Sequence, residues 1–143
     1  MIEFKTLDDN VLGFGSALRY FKRDDYALAF SRLRQSQNCN GLSRINFHSD
    51  PNDPLHVMLV RLAGAIQYPK HRHLNKDEWY LVVEGTLGIV SEGADINLQP
   101  MDFMMMPRGK WHATMARTSE VFYFEVCNGP FDKTQTEFFN RVE

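Results

Sequence analysis

The chain has 143 residues, 43% apolar and 24% charged, enough for one domain with a sizeable core. A net charge of −2 excludes the basic face that nucleic-acid binding needs, and no apolar segment is long enough to cross a bilayer. The N-terminus, MIEFKTLDDNVL, lacks the basic-then-apolar layout of a secretory leader. Cys39 and Cys127 stand far apart in sequence, so we expect reduced thiols in a cytoplasmic protein.

Residues 1–40 are expected to form a helical extension packed on the domain that follows. Val11, Leu12, Leu18 and Phe21 recur at roughly helical spacing, as do Ala27, Leu28, Phe30 and Leu33 after the charged Arg23-Asp24-Asp25 break. From residue 41 to residue 143 the pattern changes to short strands: Leu42 to His48, His56 to Leu62, Asp77 to Val83, Leu87 to Ser91, Phe103 to Met106, Trp111 to Arg117 and Val121 to Cys127. Pro, Gly, Asn and Asp clusters separate them, which argues for an antiparallel sandwich or barrel.

The chemistry lies in HRHLNKDEWYLVVEG and PRGKWH. His71 and His73 alternate along a strand and so share one face, while Glu78 follows across the polar Leu74-Asn75-Lys76-Asp77 connector. His112 follows a turn shaped by Pro107 and Gly109. Three imidazoles and one carboxylate, without thiolate, suit a first-row divalent transition metal, and leave coordination positions for water or substrate.

These residues resemble the cupin superfamily. Its first motif pairs two histidines one residue apart with a glutamate and then a glycine, matched here by His71, His73, Glu78 and Gly85. Its second motif is matched by Pro107, Gly109 and His112, with Met101 in place of the leading glycine and Ala116 in place of the closing asparagine. Gly64, upstream of the first motif, lies one residue too far away. Residues 42–139 look like the WbuC-type cupin-fold metalloproteins, most specifically in Arg44-x-Asn46-x-His48 and in the stretch from Phe124-Glu125-Val126 to Gly129-Pro130-Phe131-Asp132.

The resemblance implies a mostly β, single-domain, jelly-roll-like cupin barrel with a short helical N-terminal extension, and a homodimer. It implies one divalent metal (Zn, Fe, Mn or Ni) on His71, His73, Glu78 and His112, and a role in bacterial surface-polysaccharide metabolism. Arg44, Asn46 and His48 share a strand face and are candidates for binding a small-molecule ligand, the alternative being the solvent side of an edge strand. His48 is the candidate catalytic base for an isomerase or epimerase. A non-catalytic binding module and an Fe(II)-dependent oxygenase are the alternatives.

Other residues have plainer readings. Met101, Met104, Met105 and Met106 cannot all reach one ion from a strand, and are expected to pack the core with Phe122, Phe124 and Tyr80. Trp79 and Trp111 should face away from the ligands beside them. His56 has no assigned role. Glu125, in the apolar run VFYFEV, needs a partner, for which Arg44 is a candidate.

Overall fold

In the computed structural model, which describes residues 2–15, 18–36, 41–64 and 67–139, two β-sheets face each other. The strands are β1 (Phe4–Asp8), β2 (Val11–Phe14), β3 (Leu42–Asn46), β4 (Leu55–Ala63), β5 (Gln67–His73) and β6 (Glu78–Glu84). They continue with β7 (Leu87–Ser91), β8 (Ala94–Leu98), β9 (Phe103–Met106), β10 (His112–Ala116), β11 (Glu120–Asn128) and β12 (Thr136–Phe138). One sheet has the order β1-β2-β3-β4-β11-β6-β9 and the other β12-β5-β10-β7-β8. All pairings are antiparallel except β2 with β3. The expected mostly β single domain with one short helix is what the fold shows. No helix among the described residues is long and apolar enough to cross a membrane.

Alternation along the strands builds two cores. Met58, Val60, Leu62, Tyr80, Val82, Leu87, Ile89 and Tyr123 fill the space between the sheets. The opposite face of the larger sheet carries Ile45, Leu59 and Phe122, against which helix α1 (Tyr26–Arg34) lays Ala29, Phe30 and Leu33. Phe30 stacks on Phe122 at 3.8 Å between ring centroids. Burying each such ring is worth about 1.5–3 kcal/mol. Ser43 Oγ donates to the Leu33 carbonyl at 3.0 Å, tying the helix end to β3.

The N-terminal segment differs from the expected helix. Among its described residues only Tyr26–Arg34 is α-helical, with a single 3-10 turn before it; Phe4–Asp8 and Val11–Phe14 are strands that pair with each other and extend the sheet beside β3. Val11-Leu12-Gly13-Phe14 is too short for periodicity to separate helix from strand. Cys39 lies outside the described residues; Cys127 is a free, buried thiol. Two of the methionines also depart from the core reading. Met106 is buried, but Met101 is 79% exposed and Met105 is 40% exposed. Met105 faces outward with Trp79 and Phe103, whose rings stack at 5.3 Å, so Trp79 does turn away from its neighbour Glu78.

Two turns show what the motif glycines do. Gly85, between β6 and β7, has φ +82°, and a methyl there would strike the Glu120 carbonyl oxygen. Met101 has φ +72°, so the left-handed conformation that glycine serves in the family motif is kept here by a methionine. Urea unfolding should therefore show Gly85→Ala losing about 2 kcal/mol or more. Met101→Gly should gain up to about 1 kcal/mol, since its side chain is exposed and its backbone strained. A Gly85→Ala protein as stable as its parent would contradict the left-handed turn.

Candidate metal centre

The four expected ligand residues are brought together between the sheets, all buried. His71 and His73 lie on β5, and His112 opens β10 directly across from His71 in the strand register. Glu78 opens β6 of the other sheet, so the cluster bridges the two layers. The connector between His73 and Glu78 is anchored by Asp77, which accepts from the Arg108 backbone N–H at 2.9 Å. In the same turn, the Gly109 N–H donates to the His73 carbonyl at 2.7 Å, and Gly109 has φ +82°. The second motif's turn thus holds the first motif's strand in register.

Each imidazole is oriented from behind. His71 Nδ1 donates to the Pro69 carbonyl at 2.8 Å and His112 Nδ1 to the Lys110 carbonyl at 2.9 Å. His73 Nδ1 lies 2.9 Å from Thr136 Oγ1, on the strand residue paired with His73. A carbonyl can only accept, so Nδ1 of His71 and His112 carries the proton and Nε2 presents a lone pair. Thr136 was not singled out from the sequence, since a tail threonine carries no motif signal. Only the β12–β5 pairing reveals it.

The Nε2 atoms converge on a carboxylate. Glu78 Oε1 lies 3.0 Å from His73 Nε2 and 3.2 Å from His112 Nε2, and one ligand atom from each of the four residues falls within 4.8 Å of the others. Glu78 Oε1 is buried and has no hydrogen-bond partner among the described residues. Lone pairs facing at 3 Å repel unless a positive charge, proton or metal, sits between them. The donor set and the orphaned oxygen fit a single divalent transition ion. Burial would raise the Glu78 carboxyl, but positive charge shared with the facing His112 and His73 rings holds it well below the usual carboxylate range. Burial and the adjoining Glu78 push Glu125 well above that range, so Glu125 holds the proton of the pair. Its partner is thus Glu78, and Arg44 acts on it only at longer range.

The cluster lines a cavity of about 600 Å³. Arg44, Asn46 and His48 line the same cavity, and β3 is an interior strand between β2 and β4, not an edge. His48 stacks on His56 at 4.0 Å, both rings on the cavity wall. Burial, then the neighbouring His56, lowers the His48 imidazole below its ordinary value. Lys76, Tyr68 and Cys127 also face the cavity; sequence reading passed over the first two as ordinary connector and strand residues. Burial pushes the Cys127 thiol up to about 11, in keeping with an inert sulfur.

Residues 58–127 match the family model described as a cupin domain. Those residues thus carry a cupin domain. Solved structures agree on the fold. A cupin-2 domain containing protein from Shewanella frigidimarina is 26% identical, with a TM-score of 0.57, covering 71% of this chain and 89% of that one. A cupin-2 domain from Rhodospirillum rubrum is 14% identical, with a TM-score of 0.61, covering 71% of this chain and 68% of that one. The DMSP lyase DddQ from Ruegeria pomeroyi is 24% identical, with a TM-score of 0.54; the match covers 64% of this chain and 47% of the lyase. A comparison with curated proteins finds no match.

Two outcomes follow for this cupin. Burial, then the adjacent His112, lowers His71 to about 4 from 6.5, so folding the protein with a protonated His71 is unfavourable. That destabilisation is absent above pH 6.5 and complete below about 4. NMR of the imidazole in metal-free protein should find His71 neutral until roughly pH 4; a midpoint near 6.5 would contradict its burial. Thr136→Val should leave the fold intact yet weaken metal affinity about tenfold, read by competition with a chromogenic chelator.

Proposed function

We propose that this cupin is a metal-dependent enzyme acting on a small polar molecule. One divalent transition ion would be held by His71, His73, Glu78 and His112. The observation that carries this reading is the buried, unpartnered Glu78 Oε1 facing the Nε2 atoms of His73 and His112. When bound there, such an ion supplies Lewis-acid polarisation of a substrate carbonyl or hydroxyl oxygen.

The protein's own residues account for the rest of the proposal. The outward Nδ1–H bonds of His71 and His112 aim their Nε2 atoms at the site, so that the neutral rings offer Nε2 as the ligand atom. Glu125 keeps its proton against Glu78, which leaves a single carboxylate charge at the ligand position. His48, neutral at physiological pH and on the same cavity wall, is the proposed base for removing a proton from substrate. Arg44 and Asn46 would orient the substrate's polar groups.

The resemblance of residues 42–139 to WbuC-type cupins supports a role in bacterial surface-polysaccharide metabolism, and the reaction we propose there is of isomerase or epimerase type, on a sugar or sugar nucleotide. It also supports a homodimer. An enzyme is named among the structural neighbours, the DMSP lyase, which is compatible with catalysis on this fold.

Elemental analysis of protein purified without tag or chelator tests the metal. The expected result is about one equivalent of a transition metal per chain, lost in His73→Ala with the fold retained by circular dichroism. A parent that stays metal-free after reconstitution with Mn, Fe, Ni and Zn would overturn the reading. A loaded protein that binds small molecules without turning any over would mark a binding module instead of an enzyme.

A further inference from the structure

The cavity walls carry a second set of polar groups beyond the four converging donors. The side chain of Arg44, midway along β3, makes no hydrogen bond or ion pair with any described residue, and its Nε is buried without a partner. Asn46, two residues on along the same face, has a buried Oδ1 that is likewise unpaired. From the β5–β6 connector, Lys76 extends over the cavity to place Nζ 3.8 Å from Cys127 Sγ, and forms no ion pair among the described residues.

Two cations without an ion pair among the described residues therefore face a cavity whose one committed carboxylate, Glu78, belongs to the imidazole cluster. A charge turned into such a space is costly until it meets a counter-charge, and a guanidinium finds its best one in the planar or tripodal oxygens of a carboxylate or phosphate. An amide oxygen left without a donor asks for a hydroxyl. We infer that the cavity takes a small hydroxylated anion, its carboxylate or phosphate held between Arg44 and Lys76 and a hydroxyl donating to Asn46 Oδ1. This rests on the proposed site for where the reacting end of the molecule lies, and names the substrate class that site accepts. Lys76 is thereby a specificity residue, and Arg44 acts as an anion clamp.

Isothermal titration calorimetry with lactate and glycerol 3-phosphate, against the uncharged lactamide and glycerol, tests the inference on metal-reconstituted and chelator-stripped protein. At least one anion should bind at millimolar concentration or below, about tenfold tighter than its neutral counterpart. Arg44→Gln and Lys76→Met should each abolish that preference while thermal midpoint and metal content stay at parental values. Whether lactate or glycerol 3-phosphate binds tighter distinguishes a carboxylate from a phosphate ligand. Failure of both anions to bind either form, equal binding of neutral and anionic partners, or a preference that survives both substitutions would overturn the inference. Metal content measured on the same samples separates the two readings. An Arg44-dependent anion preference in protein that takes up no metal on reconstitution would sink the metal reading and leave this one standing.

Discussion

The structure depends on one constraint: four buried donor groups must be held within reach of one another although their lone pairs repel. Imidazoles and a carboxylate in an apolar interior are costly to bury. The fold meets that cost by making each imidazole serve two masters. Nδ1 is fixed by a carbonyl or a threonine hydroxyl behind it, and Nε2 is turned inward. Strand register does the placing, since His112 pairs with His71 and Thr136 with His73. The fourth donor, Glu78, arrives from the opposite sheet, so the site acts as a clasp between the two layers.

The turns explain why the motif has the residues it has. Gly109 allows a left-handed turn whose N–H reaches the His73 carbonyl, and Asp77 clips the ligand-bearing connector to Arg108. Met101 retains the left-handed conformation without the glycine, on an exposed side chain where the penalty is confined to its own backbone. Away from the site, α1 packs on the outer face of the larger sheet, and the β1–β2 hairpin extends that sheet beside β3. They steady β3, whose other face presents Arg44 and Asn46 to the cavity.

Much of this was legible in the sequence, for physical reasons. Alternating His71 and His73, the turn residues and the spacing to His112 are local patterns, and strand alternation converts them directly into a shared face. Leu87–Ser91 and Phe103–Met106 were read with their observed boundaries, because turn residues bracket them closely. The N-terminal hairpin was not legible: its strands are short, and their pairing with β3 is a long-range contact. Thr136, Lys76 and the His48–His56 stack were invisible for the same reason. Each acquires its role from a neighbour brought close by the topology, and spacing along the chain records nothing of it.

The most direct test of the central claim is X-ray absorption at the edge of whichever metal the purified protein carries. The account predicts nearest neighbours of nitrogen and oxygen only, at about 2.0–2.2 Å, with the outer-shell scattering of three imidazoles. Glu78→Gln should reduce the oxygen contribution. A sulfur neighbour near about 2.3 Å, or a spectrum of a water-ligated ion with no imidazole scattering, would place the metal elsewhere and contradict the clasp.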